Sequence, residues 1–112
     1  MRMWMVDPKL MCRRHIFGEH VECHMFVGSI LKGIKISDSK YVSAGLVEVH
    51  NIRKRHDNLA NEIKCRGYHH KSPLPEVNLW TEGCVDSEAN LLELRRRCPA
   101  CESRQKEFGV IK

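Results

Sequence analysis

The length, composition and charge of the chain narrow the classes of protein to which it can belong. At 112 residues, with 42% hydrophobic and 29% charged residues, the chain fits one soluble globular domain, which we take as residues 1–112. No apolar run approaches the roughly 20 residues of a membrane span, so no membrane is expected as a partner. Residues 1–67 hold 12 lysines and arginines against 7 acidic residues. This basic excess favours a polyanion such as DNA or RNA as the partner, unless it is only a solvated face.

The six cysteines favour reduced thiols over a disulfide scaffold. They make up about 5% of the chain, below the roughly 8–10% typical of secreted disulfide-rich domains. The first ten residues, MRMWMVDPKL, lack the long apolar region of a signal peptide, because Asp7 and Pro8 interrupt them. We therefore expect a cytoplasmic protein with free thiols.

Helical periodicity appears in three places along the chain. The first stretch covers about residues 8–31, and the second covers about residues 49–66, with Gly67 where a left-handed C-terminal cap belongs. The third begins at an Asp-Ser pair suited to N-capping, covers about residues 86–98, and should end before Pro99. The pattern predicts three main helices.

The connecting segments carry weak strand signals and no repeats. The only strand candidate, SKYVSAGLVEV, could equally be an extended loop, and KSPLPEVNLWTEG reads as an ordered loop held by its apolar residues. The predicted fold is therefore a compact all-α domain of three main helices joined by long ordered loops.

The segment GEHVECH on the first helix carries two carboxylates and two imidazoles in seven residues. At 100° per residue, His20 and Cys23 lean toward the apolar face, whereas Glu19 and Glu22 should face away from it, on the stripe of His15. Most such carboxylate pairs form a solvated acidic edge. Because Phe26 shares that stripe, a cleft with a functional carboxylate is the alternative.

The segment Cys98-Pro-Ala-Cys101 is the clearest potential metal or redox motif. One CxxC supplies half of a zinc site, and two further ligands would be needed. A redox pair at the start of a short helix opened by Pro99 is the other functional interpretation, and two small buried thiols are the structural one. The possible partners for the CxxC are Cys84, the pair Cys12 and His15, or the pair His69 and His70.

Basic residues are grouped near the start of the first helix and along the second. The triplet Arg95–Arg97 closes the third helix, where cations meet the negative end of the helix dipole. The other groups belong to the basic part of the chain and are better candidates for contacts with phosphate. These candidates are Arg13, Arg14, Arg53, Lys54, Arg55, Lys64 and Arg66.

The residues quoted above resemble a known family, the pyrimidine-dimer DNA glycosylases typified by bacteriophage endonuclease V. The matching segments are Arg2 beside the N-terminus, HIFGEHVE, SAGLVEV and RKRHDNLANEIKCRGYHHK, which together cover about residues 1–72. KCRGY after the second helix is the most telling of them. The resemblance implies a compact all-α fold, in agreement with the periodicity.

The resemblance also implies a mechanism in which an N-terminal α-amine attacks the sugar C1′, displaces the damaged base and forms an imine. β-Elimination then nicks the strand. Carried onto this sequence, the nucleophile is the Met1 amine, the catalytic glutamate is Glu22, and Arg2 and His15 contact the substrate. An α-amine in general has a pKa of about 7.7–8.0 against about 10.4 for lysine, so more of it is nucleophilic at neutral pH. No metal or cofactor is implied.

Two departures from the phage-type pattern are visible. Arg2 is bulky, so Met1 should be retained, and its amine then keeps the family's spacing to Glu22. Two arginines of the phage-type first helix are replaced here by Val21 and Met25.

The sequence thus predicts a DNA-repair glycosylase with abasic-site lyase activity on ultraviolet-type or related damage. We expect its partner to be double-stranded damaged DNA, and we expect a nucleoid-associated monomer. The alternative is a non-catalytic nucleic-acid-binding module, stabilised by zinc through Cys98 and Cys101.

Overall fold

The regular elements of the protein, in the computed structural model, are helical throughout residues 1–111, the part of the chain that the structure describes. Short 3₁₀ turns precede the first three helices, and no strand occurs in residues 1–111. This confirms the all-α class, with two short helices added to the three predicted. The helices are α1 (Arg13–Leu31), α2 (Lys40–Ser43), α3 (Ile52–Cys65), α4 (Ser87–Arg97) and α5 (Pro99–Glu107).

The core lies mainly between α1 and α3, which pack against each other. Residues one and two turns apart on α1, such as Ile16 and Cys23, are fully buried, and so are Ile52 and Leu59 on α3. This is the one-sided burial that a helical apolar pattern predicts. Within residues 1–111, no helix is both long and apolar enough to cross a membrane.

The N-terminal segment, residues 1–7, packs against this core. Met3, Trp4 and Val6 are buried, and the Met3 backbone N–H donates to the carbonyl of Leu46 over 2.7 Å. The candidate strand SKYVSAGLVEV, which contains Leu46, forms α2 followed by irregular backbone. The segment thus anchors the N-terminus without forming a sheet.

The ends of α3 and α4 follow the chemistry of their capping residues. Gly67 has a φ of 87°, and its N–H and that of Tyr68 donate to carbonyls in the last turn of α3, which confirms the predicted left-handed cap. Asp86 caps α4 by accepting from the Ala89 N–H over 3.0 Å. Pro99 ends α4 and also opens α5, since proline fits the first helical position and cannot continue a helix.

Helices α4 and α5 form a hairpin that packs against the N-terminal part of the chain. Gln105, fully buried, accepts from Arg95 and donates to the Leu91 carbonyl, which ties α5 to α4. Arg104 of α5 donates to the carbonyl of Lys9 over 2.9 Å. The α4–α5 hairpin therefore lies close enough to the N-terminal segment to contribute side chains to a site there.

Candidate active site

Glu19 does not face a cleft, so the prediction that it shares an exposed stripe with Glu22 is wrong. It is 1% exposed, and Arg55 of α3 binds it in a two-pronged ion pair, with Nε to Oε2 at 2.6 Å and Nη2 to Oε1 at 2.8 Å. Phe26, on the same stripe, is also fully buried. The buried face of α1 is wider than the apolar pattern alone indicates, because a cation from α3 lets it include a carboxylate.

Glu22 lies at the edge of that buried face and points toward the chain's first residues. Its Oε2 accepts the backbone N–H of Arg2 over 3.2 Å. Burial raises the pKa of the Glu22 carboxyl, while the Arg2 N–H and the nearby N-terminal amine partly oppose that rise. A half-buried carboxylate whose pKa is raised is a candidate for proton transfer.

Arg2 is held in place by the side chain of Trp4, in its own segment, and by the side chain of Asn90 on α4. Its Nη2 donates to Asn90 Oδ1 over 2.7 Å, and its guanidinium lies 3.8 Å from the centre of the Trp4 ring. Asn90 in turn donates to the Trp4 carbonyl over 3.0 Å, and Arg97 approaches the same ring at 5.3 Å. Burial, together with Arg97, lowers the pKa of Arg2.

Sequence reasoning missed Asn90, Trp4 and Arg97 as parts of this site. An asparagine in the middle of α4 carries no signal of its own, and Arg97 was explained as a helix-end cation. Trp4 was the one available clue, because an aromatic ring beside an arginine offers a cation–π partner.

His15 faces a group of cysteines instead of the Glu22 carboxylate. Its Nδ1 lies 3.1 Å from Cys12 Sγ and 3.5 Å from Cys101 Sγ, and Cys12 Sγ is 3.8 Å from Cys98 Sγ. Burial lowers the pKa of His15 and raises that of Cys101 to about 12. Burial would also raise the pKa of Cys98, but hydrogen bonds to its sulfur outweigh it and lower that pKa. Of the partners considered for the CxxC, the structure places the pair Cys12 and His15 next to Cys98 and Cys101.

The remaining basic candidates differ in exposure. Arg55 was predicted to be a candidate for contact with phosphate, but it is 4% exposed and its charge is paired with Glu19, so that prediction is wrong. Arg53 donates to the Pro75 carbonyl, and Arg66 pairs with Glu62, so both are half-buried. Those free to meet phosphate are Arg13, Arg14, Lys54 and Lys64, which are exposed.

Four histidines form a second cluster between α1, α3 and the loop after α3. His20 Nε2 lies 2.8 Å from His70 Nε2, while His24 and His56 both approach the Ser72 carbonyl, at 3.0 and 3.2 Å. Burial, with the other imidazoles, lowers the pKa of His20 to about 4. His20 is therefore neutral at neutral pH and is hydrogen-bonded within the cluster.

Comparison with known proteins identifies the family. The family model described as "Pyrimidine dimer DNA glycosylase" matches residues 1–76, the part of the chain that carries Arg2, Glu22 and the α1–α3 core. No curated protein and no solved structure matches the chain. The match spans well over half of the chain, so this protein belongs to the pyrimidine dimer DNA glycosylase family.

Proposed function

We propose that this protein is a damage-specific DNA glycosylase with abasic-site lyase activity, in which the Met1 α-amine is the nucleophile and Glu22 the catalytic carboxylate. The observation that carries the proposal is the hydrogen bond from the Arg2 N–H to Glu22 Oε2 at 3.2 Å. The amine is three bonds from that nitrogen, so this contact keeps the amine and the carboxylate close together. Family membership supplies the class of substrate.

In the first step, the lone pair of the neutral Met1 amine attacks C1′ of the damaged nucleotide. The C1′–N bond to the base breaks, and the base leaves with the electron pair. Loss of an amine proton and opening of the sugar ring give an imine between Met1 and C1′. The second step removes a C2′ proton and expels the 3′ phosphate, which nicks the strand; water then hydrolyses the imine and frees the amine.

Glu22 has two roles in these steps. As a carboxylate it stabilises the positive charge that develops at C1′ and persists in the protonated imine. It also accepts and returns protons, for which a pKa raised by burial toward neutrality is favourable. Arg2 supports the arrangement, since Asn90 and Trp4 fix its side chain while its backbone N–H orients Glu22.

The proposed partner is double-stranded damaged DNA, which the exposed lysine and arginine side chains would bind. The protein would meet this DNA at the nucleoid. Arg14 and Arg97 line one surface hollow together with His15 and Cys98. Arg14 and Arg97 could therefore contact the phosphates of a DNA backbone that passes close to the Met1 amine.

The test is to trap the imine. Borohydride added during reaction with DNA containing an abasic site or a pyrimidine dimer should reduce the imine and leave a covalent protein–DNA adduct. Peptide mapping should locate the adduct on Met1. An adduct on an internal lysine such as Lys64, or no adduct on either DNA, would overturn the proposal.

Matched controls separate the amine from the fold. Residues added before Met1 convert the amine into an amide and should abolish the adduct, whereas the same residues added after Lys112 should not. Both variants should melt at the same temperature as the parent, because neither extension changes the core.

A further inference from the structure

We propose that Cys12, His15, Cys98 and Cys101 form a structural zinc site that joins the start of α1 to the α4–α5 hairpin. The four side chains come from two distant parts of the sequence, and their ligand atoms all lie within 4.8 Å of one another. Three thiolates and one imidazole make up one of the common donor sets of structural zinc sites.

The spacing of the ligand atoms fits a tetrahedral site. With Zn–S of about 2.3 Å and Zn–N of about 2.0–2.1 Å, tetrahedral geometry puts sulfurs about 3.8 Å apart and sulfur about 3.6 Å from nitrogen. Cys12 Sγ and Cys98 Sγ are 3.8 Å apart, and Cys101 Sγ is 3.5 Å from His15 Nδ1. The Cys12–His15 distance, 3.1 Å, is the one that would lengthen on binding.

The two halves of the cluster have the same local construction. Cys12 is the N-cap of α1 and His15 is its third residue; Cys98 is the N-cap of α5 and Cys101 is its third residue. Each C-x-x-ligand pair thus lies on one turn at the N-terminus of a helix, with both donors facing the same point. Two helix N-termini also meet there, and their partial positive charges favour thiolates.

Backbone N–H groups support the sulfurs as acceptors. The Cys12 N–H donates to Cys101 Sγ over 3.3 Å, and the Cys101 N–H donates to Cys98 Sγ over 3.4 Å. Hydrogen bonds to the ligand atoms orient the ligands of a metal site and stabilise their charge. Arg14 borders the same hollow, so its charge would help to balance the net negative charge of three thiolates around one Zn²⁺; Arg97 also borders it but is paired with Glu93.

The histidine cluster is the other group of potential ligands, and it makes a weaker site. His20, His24 and His56 also lie within 4.8 Å of one another. However, their nitrogens already have partners, since His24 and His56 bond the Ser72 carbonyl and His56 Nδ1 lies 2.9 Å from Asp57. The thiols of the first cluster contact chiefly one another and His15.

The zinc site stands independently of the proposed catalysis. His15 is seven residues before Glu22 on α1, about 10 Å along the helix axis, so the metal would not touch the reacting atoms. Its effect is to fix the hairpin that carries Asn90, the residue holding Arg2. Metal content and stability therefore test the inference without any measurement of DNA cleavage.

The experiment measures zinc in protein purified without chelator. We expect about one zinc per chain in the parent and none in C98S/C101S. The matched control is C65S/C84S, which removes two exposed cysteines outside the cluster and should keep its zinc. Removing the zinc with a chelator should lower the melting temperature of the parent and of C65S/C84S.

Cobalt substitution reports the ligands directly, and it also works if C98S/C101S fails to fold. Co²⁺ added to the reduced, metal-free parent should give the visible bands of a tetrahedral thiolate site. H15A should weaken metal binding, whereas H15C should restore it with a spectrum of four thiolates. A parent without zinc that gives no cobalt bands would overturn the inference, as would zinc retained by folded C98S/C101S or a Cys12–Cys98 disulfide in protein kept under reducing conditions.

Discussion

The two carboxylates on α1, Glu19 and Glu22, lie one turn apart in regions of opposite character. Glu19 is sealed between α1 and α3, and both of its oxygens bind Arg55. Glu22 is half-buried, accepts a single backbone N–H from Arg2 and retains a raised pKa. The first carboxylate has its charge fully balanced inside the protein, and the second does not.

This difference explains how one helix can carry a structural glutamate and, in the proposed mechanism, a catalytic one. A buried carboxylate whose two oxygens both bind a cation has no oxygen left for other partners. A carboxylate at the edge of the core, with an oxygen to spare, can exchange protons. The partner on the neighbouring segment decides the role, and the following predictions test that distinction.

The largest effect should come from breaking the Glu19 pair. E19Q leaves the charge of Arg55 buried and uncompensated, so we expect the free energy of unfolding to fall by about 3–5 kcal/mol. Chemical denaturation of the variant and the parent at pH 7 measures it. The double variant E19L/R55L removes both charges and should recover most of the loss; if E19Q unfolds within 1 kcal/mol (about fivefold in the equilibrium) of the parent, the pair is not structural.

E22Q should show the reverse pattern, with activity lost and stability kept. Removing the charge while keeping the shape should slow strand cleavage by about 100-fold, as expected for lost acid–base catalysis. Because burial raises the pKa of Glu22 above its unfolded value, its charged form disfavours folding at neutral pH, so the melting temperature should stay equal or rise slightly. Cleavage assays with thermal melting check both halves; a destabilised E22Q with normal cleavage would contradict the comparison.

The exposed lysines of α3, Lys54 and Lys64, should affect DNA binding and not the fold. K54A/K64A should weaken binding to all sequences and reduce the slope of log affinity against log salt by up to about 2. Arg55 must be left intact, since its loss would leave the buried charge of Glu19 without a partner. Titrations at several salt concentrations measure the slope, with K106A, an exposed lysine of α5, as the control that should leave it unchanged.

The smallest effect concerns the pH profile of cleavage. In the proposed mechanism the ionised form of Glu22 is the active one, and burial raises its pKa above the ordinary 4.5. Cleavage should therefore be lost as the pH falls through this raised pKa, at a higher pH than for an exposed carboxylate. The pH dependence of kcat/KM on abasic DNA measures it, and the acidic limb should be absent from the residual activity of E22Q.

Local patterns in the sequence predicted the helices well. The periodicity of α1 and α3, the cap at Gly67 and the stop before Pro99 all depend on neighbouring residues, and each is found in the structure. The additional helix α5 was visible in Pro99 as a possible helix start. The family resemblance to residues 1–72 is confirmed by the match to residues 1–76.

The tertiary partners could not be predicted in the same way. Arg55 and Glu19 are 36 residues apart, and nothing in either neighbourhood indicates that the two would meet inside the core. The same holds for Asn90 and Arg2, 88 residues apart. The basic run on α3 and the acidic pair on α1 are compatible with many ways of packing the two helices. Only the tertiary packing determines which of these charges meet.

The anchoring of Met3 limits how far the protein can reach toward its substrate. Because the Met3 side chain is fully buried and its N–H is bonded to Leu46, Met1 and Arg2 are the residues that separate the proposed nucleophile, the Met1 amine, from a fixed point. Two extended residues span about 7 Å, so in the proposed mechanism that amine works on a short tether. In a straight duplex, the sugar-phosphate backbone shields C1′ of each nucleotide. The C1′ of the damaged nucleotide must therefore come within about 7 Å of the fixed point at Met3. In the proposed reaction the required movement therefore falls on the DNA, and lesions that already loosen the helix should be the easiest to attack.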